Sequence, residues 1–277
     1  FSMKQLLYAL LFLFAISCDK VDPLSEPSLV LHFKFDSTQT RLNNQGQLSS
    51  MDSGNVGQNP NFKSMRIHYV ELSPFFYTQI GDGHVAYKTE ETQIGGENAI
   101  TFDKETVIDP VNNLLRIPLK NLKADDYEFI RISIGYQGYD VFATANLSSY
   151  GLGEIDFPMR IASFLGFNTY IGKHTIKDST LTLNRTKKQG YWASEVHLSQ
   201  GPFNYHKVIE GQAPGTTVVN PLFAFSPIPS GSCVVTSKFT NKLLKIVTTA
   251  NAAVHVEVSI STNKSFEWKD TNPNGKW

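Results

Sequence analysis

Apolar and polar residues alternate one for one along much of this chain, the period of an extended strand with one face in a core. In Leu29-Val-Leu-His-Phe-Lys-Phe-Asp36, residues Leu29, Leu31, Phe33 and Phe35 share one side, while Val30, His32, Lys34 and Asp36 share the other. The same period sets Ile130, Ile132 and Ile134 against Arg131 and Ser133, and Val254, Val256, Val258 and Ile260 against His255, Glu257 and Ser259. Further strands are expected at 65–72, 75–80, 84–88, 114–119, 127–135, 190–198, 233–239 and 243–249, with two more pieces around Lys177-Asp178-Ser179. One helix is expected over 156–166, where Pro158 stands near the start and Gly166 at the end. Residues 37–61, rich in Asn, Gln, Gly and Ser, read as a long loop insertion, and the Pro- and Gly-rich runs 211–217 and 221–231 read as loops. The crossover helices that a parallel α/β sheet requires are missing. The pattern therefore predicts an all-β fold, an antiparallel β-sandwich with long loop insertions and one short helix, spanning residues 28–277.

The N-terminal stretch has a different character. Met3-Lys-Gln-Leu-Leu-Tyr-Ala-Leu-Leu-Phe-Leu-Phe-Ala-Ile-Ser-Cys18 carries one positive charge and then an apolar run too short for a comfortable membrane span. It has the n-region and h-region of a secretory signal. Its ending, Ala15-Ile16-Ser17-Cys18, resembles a bacterial lipobox, in which Cys18 is lipidated and becomes the mature N-terminus. Residues 19–27, polar and holding two prolines, then read as a flexible tether. The expected location is the cell envelope, lipid-anchored at the outer membrane, on its periplasmic or surface side.

Composition narrows the class. Lys+Arg and Asp+Glu number 25 each, so no basic field draws the chain to nucleic acid. Only two cysteines occur, and lipidation of Cys18 leaves Cys233 alone, which removes a disulfide framework. Catalytic signatures such as G-x-S-x-G, the P-loop, G-x-G-x-x-G and H-E-x-x-H are absent. The chain is read as a non-enzyme, the alternative being an enzyme whose site forms only in three dimensions.

Two sets of residues carry candidate chemistry. Glu195-x-His197 and His255-x-Glu257 each put an imidazole and a carboxylate on one face of a strand, about 6.5–7 Å apart. If those strands were neighbours, the four side chains would converge on copper or another divalent metal. The aromatic residues Tyr136, Tyr139, Tyr205 and Phe223 stand in stretches rich in Gly and Pro and are expected on loops, where exposed rings stack on sugars or anchor an envelope protein. Asp270-Thr-Asn-Pro-Asn-Gly275 reads as an Asx-rich turn.

Several phrases together, Leu29-Val-Leu-His-Phe-Lys-Phe, Met65-Arg-Ile-His-Tyr-Val-Glu-Leu, Tyr127-Glu-Phe-Ile-Arg-Ile-Ser-Ile-Gly135 and Gly190-Tyr-Trp, resemble the MbnP-like (methanobactin-partner-like) envelope proteins. The resemblance covers roughly residues 29–260. It implies a β-sandwich with inserted loops and, for some members, copper held by histidines and an oxidised tryptophan. None of those ligands maps onto a position of this chain. The expected function is a cell-envelope binding module, its ligand a metal such as copper, or alternatively a glycan or an envelope protein.

Overall fold

The computed structural model describes residues 26–94, 99–165, 169–187, 190–201, 203–212, 233–240, 242–271 and 274–277. The first strands are β1 (Ser28–Asp36), β2 (Asn55–Gln58), β3 (Asn61–Ser73), β4 (His84–Lys88), β5 (Glu91–Thr92), β6 (Ala99–Thr101) and β7 (Thr106–Ile108). The middle of the chain supplies β8 (Leu114–Pro118), β9 (Asp125–Tyr127), β10 (Phe129–Asn146), β11 (Glu154–Phe164), β12 (Thr169–Thr175) and β13 (Thr180–Lys187). The last are β14 (Tyr191–Gln200), β15 (Phe203–Gln212), β16 (Cys233–Lys238), β17 (Leu244–Ile246), β18 (Val254–Ser261) and β19 (Phe266–Lys269). Only single 3-10 turns interrupt them among the described residues. No described helix is long and apolar enough to cross a membrane.

The largest sheet runs β15-β14-β11-β10-β3-β4. Its spine is β10, eighteen residues long, which pairs along one edge with β3. Its other edge is shared, with β16 beside Phe129 to Ile134 and β11 beside Tyr136 to Asn146. A three-stranded sheet, β18-β1-β8, lies across the first half of this spine. Leu29, Leu31 and Phe33 of β1 and Leu115 and Ile117 of β8 pack in one cluster with Ile67, Val70 and Leu72 of β3 and Ile130, Ile132 and Ile134 of β10. Each such side chain contributes about 1.5–3 kcal/mol by leaving water, so this seam is the main stabiliser of the sandwich. A second core, with Phe102, Tyr136, Phe164, Ile171 and Tyr191, lies beside the β13-β12-β6-β5 sheet.

The all-β sandwich read from the alternation is the architecture found, with local differences. The segment expected as a helix, 156–166, is strand β11, with Met159, Ile161 and Phe164 buried. Pro158 fits there because the pairing with β14 begins only at Met159, which leaves the proline where a missing N–H is tolerated. The sandwich also has two parallel pairs, β1 with β18 and β6 with β12, each joined through a long excursion of chain. The 37–61 insertion holds β2, which pairs with β19 near the C-terminal end of the chain. Register shifts between Ser133 and Tyr136 break the alternation of β10 and send Tyr136 into the second core instead of a loop.

Glu105 is an ionisable group left inside without a partner. It is buried, neither carboxylate oxygen meets a hydrogen-bond donor, and burial raises its pKa to about 8. A carboxyl whose pKa is higher folded than unfolded contributes stability below its ordinary value near 4.5, and that contribution is lost as the pH rises through 8. Glu105→Gln is therefore expected to leave stability unchanged near pH 4 and to raise it progressively up to pH 8, by on the order of 2 kcal/mol. Melting curves at several pH values check this; a gain independent of pH would contradict it.

Candidate functional site

The chain between β3 and β4 reads Pro74-Phe-Phe-Tyr-Thr-Gln-Ile-Gly-Asp-Gly83, and its apolar start led to the expectation of a strand over 75–80. The structure has a loop of tight turns there instead, with the Thr78 N–H donating to the Phe75 carbonyl at 3.2 Å and the Asp82 N–H to the Gln79 carbonyl at 3.0 Å. The reason lies beneath it. Arg131 of β10, fully buried, donates to the carbonyl of Phe76 at 3.0 Å, to that of Thr78, and to that of Gln79 at 3.3 Å. Carbonyls gathered around one guanidinium cannot also line up along a strand ladder.

Glu71 of β3 completes the anchor. Its Oε1 faces Arg131 at 3.2 Å, with side-chain exposures of 1% and 0% for the pair. It also accepts from the Gly81 N–H at 3.0 Å, the Gly83 N–H at 2.9 Å and the Tyr69 hydroxyl at 2.8 Å. Both glycines are dictated by this arrangement. Gly81 has φ of +97°, and a Cβ on Gly83 would lie 2.4 Å from Glu71 Oε1. An ion pair this deep costs desolvation that its Coulomb attraction roughly offsets. Its consequence is a loop tied at both ends.

What the loop presents is aromatic. Tyr77 is 91% exposed and Phe75 67% exposed, while half-buried Phe76 sets its edge against both Tyr77 and Phe129. Beside them opens a pocket of about 410 Å³, lined by Gln45, Phe76, Tyr77, Thr78, Gln79, Ile80 and Thr236. Thr236 lies opposite Arg131 in the β10–β16 register, so both side chains share the face that the loop covers. Thr236 is 3% exposed, and its Oγ1 meets no hydrogen-bond partner among the described residues. The described lining residues carry aromatic, amide and hydroxyl groups and, apart from the Tyr77 phenol, no ionisable group.

The residues singled out from sequence are placed elsewhere. Glu195 and His197 stand on β14, while His255 and Glu257 stand on β18, in a different sheet, so the two pairs do not meet. Glu195 is buried, not part of a solvated face, and its carboxylate is saturated. It accepts from the backbone N–H groups of Lys177, Asp178 and Ser179, from the Ser179 hydroxyl at 2.7 Å, and lies 2.7 Å from His206 Nε2. Burial pushes its pKa up, but these donors outweigh it and hold the group at about 2. His197 stacks on His206 with ring centroids 5.0 Å apart and reaches Asp178 at 3.4 Å. His255 pairs instead with His32, Nδ1 to Nε2 at 2.7 Å, and Glu257 lies beside His32 in register. No group of three or more His, Cys, Asp or Glu side chains among the described residues is placed to hold a metal ion. The donor set does not fit copper or another divalent cation.

Ser179, His206 and Glu195 bring together the residue types of a hydrolytic triad without its order. Ser179 Oγ and Glu195 Oε1 both address the same His206 nitrogen, Nε2, at 3.2 and 2.7 Å. A relay needs the imidazole between nucleophile and acid, one nitrogen to each. The cluster pins the 177–179 turn.

Of the aromatic residues expected on loops, Tyr136 and Tyr139 belong to β10. Tyr136 is buried beside Phe102, Phe164 and His174, and Tyr139 packs against Phe62 and Phe266; burial raises both hydroxyls to about 12. Tyr205 is on β15, 41% exposed, next to Phe203, which in turn touches Tyr150. Phe223 and Cys18 lie outside the described residues, as does the 19–25 part of the tether. Asp270 accepts from the Gly275 N–H at 2.8 Å, closing the expected turn.

Tyr77, Phe75, Thr236 and the Glu71–Arg131 anchor were missed. The available signal was Pro74 before three aromatic residues and a Gly-Asp-Gly ending, turn chemistry flanking rings that a strand would have buried. Comparison with family models, curated proteins and solved structures finds no match for this chain.

Proposed function

We propose that this chain is a cell-envelope binding module, carried on a lipid at Cys18, whose recognition site is the 74–83 loop and the pocket beside it. The observation that supports this reading is the combination of a loop tied down by a buried ion pair and two large rings that the same loop leaves in solvent. A loop held only for packing would turn Tyr77 and Phe75 inward, since exposing them forfeits their burial energy. Rigid presentation lowers the entropy lost on binding. The pocket falls in the lower part of the size range of small-molecule sites, about 300–1,000 Å³. A ligand with a formal charge would find no opposite charge among the described lining residues and would lose its hydration uncompensated. The ligand is a neutral organic group and the role is binding, not catalysis.

The test labels glycine amides with nitrogen-15 and follows Gly81 and Gly83, the loop residues that Glu71 holds, while copper(II), zinc(II), neutral oligosaccharides and short peptides are added one at a time. A neutral organic probe is expected to move these two signals. Tyr77→Ala is expected to abolish the shift while changing stability by no more than about 0.5 kcal/mol, as for other exposed positions. Metal ions as the sole binders, or a response that survives Tyr77→Ala, would overturn the proposal.

A further inference from the structure

Resting on that reading of the loop and pocket, we infer that the ligand is a carbohydrate, with a pyranose ring stacked on Tyr77 and one of its hydroxyls bonded to Thr236 Oγ1. Three observations converge on this class.

The first is the pairing of an open aromatic face with neutral polar groups. Tyr77 is 91% exposed and braced edge-on by Phe76 at 5.2 Å and 87°, so its ring is both accessible and oriented. Around it stand two amides, Gln45 and Gln79, and two hydroxyls, Thr78 and Thr236. A pyranose has a matching duality, with an apolar C–H face for an aromatic ring and a rim of hydroxyls that both donate and accept.

The second is Thr236. Thr236 is 3% exposed as a residue, and its Oγ1 is buried without a protein partner among the described residues, which costs about 1–3 kcal/mol unless a ligand or a bound water completes it. A purely apolar ligand, such as an acyl chain, would seal that cost in. A sugar hydroxyl removes it.

The third is the absence of usable charge. Arg131, beneath the loop, is fully buried with its terminal nitrogens engaged by Glu71 and three loop carbonyls, and Lys238, over the Phe129 ring, is paired with Glu128. Among the described lining residues a phosphate, carboxylate or sialic-acid-type ligand therefore meets no counter-ion, and a cationic ligand meets no carboxylate. The hydroxyls of a neutral glycan can both donate to and accept from the amides and hydroxyls of Gln45, Thr78, Gln79 and Thr236.

The experiment titrates the full-length protein with neutral oligosaccharides of glucose, mannose, xylose and N-acetylglucosamine, alongside uronic-acid oligosaccharides and uncharged dipeptides. The readouts are calorimetry and the Gly81 and Gly83 amide signals. At least one neutral oligosaccharide is expected to bind and move both signals. Tyr77→Ala is expected to weaken it about tenfold or more. Thr236→Val, which keeps the β-branched shape and removes the hydroxyl, is expected to weaken it by about five- to tenfold, and Thr236→Ser to restore most of the loss. Binding confined to dipeptides, with the loop signals moving and Tyr77→Ala abolishing the shift, would overturn the carbohydrate inference while leaving the site standing. Preference for the acidic oligosaccharides would overturn it as well, and if no probe moves Gly81 or Gly83 both readings fall.

Discussion

Arg131→Met is expected to lower the stability of the folded chain by about 3–5 kcal/mol, measured as the shift in urea midpoint at constant slope. Methionine fills much of the same volume but leaves the Glu71 carboxylate buried at 0% exposure without its counter-ion. It also releases the carbonyls of Phe76, Thr78 and Gln79. The companion variant Glu71→Met/Arg131→Met separates the two effects. With both charges gone the Coulomb penalty disappears, yet the amides of Gly81 and Gly83 and the Tyr69 hydroxyl have lost their acceptor. The double variant is thus expected to recover part of the loss and to remain about 1–3 kcal/mol below the parent. Hydrogen exchange at Gly81 and Gly83 should be fastest in the double variant, which alone removes the carboxylate that accepts from both amides. A single variant as stable as the parent, or a double variant less stable than the single, would contradict this account of the pair.

Glu195→Ala carries the second large effect, and its signature is a dependence on pH. The buried carboxylate receives three backbone N–H groups and the Ser179 hydroxyl and faces His206. Removing it is expected to cost about 2–3 kcal/mol at pH 7, less than the bonds' sum because water reaches the exposed turn at Lys177 and Asp178. The folded pKa lies near 2, below its ordinary value of 4.5, so the stabilisation is complete above pH 4.5 and is lost as the pH falls toward 2. The melting temperatures of parent and variant should accordingly converge between pH 4.5 and pH 2. A gap of constant size down to pH 2 would show that Glu195 acts through packing and not through its charge.

Both groups show why candidate chemistry was harder to read than fold. Period-two alternation placed Arg131 and Ser133 opposite Ile130, Ile132 and Ile134, and that is where they are. Alternation separates the two faces of a strand but does not say what covers each. The face read as polar is here a second interior layer of Tyr69, Glu71, Arg131 and Thr236, roofed by the 74–83 loop. Glu195 misled in the same way, offered as a metal ligand on a strand's polar face when it is the buried acceptor of a turn. Tyr136 and Tyr139 stand near glycines that suggested loops. Gly138 belongs instead to the strand, where a Cβ would meet the Tyr136 hydroxyl oxygen at 2.5 Å. The 156–166 segment carried a Pro and a Gly in helical positions, and pairing with β10 and β14 overrode that local preference.

What the sequence determined by itself is the class: alternating runs that bury only as strands, no helical period to support crossovers, and balanced charge. Those are local properties, legible because a strand's period and a turn's residue types depend on the residues themselves. The candidate site was decided by tertiary structure. It takes Glu71, the 74–83 loop, Arg131, Gln45 and Thr236 from separate stretches of chain, and β10 brings them together by pairing with β3 on one edge and β16 on the other. No period records that meeting, because which strands become neighbours is settled by the packing of the whole sandwich.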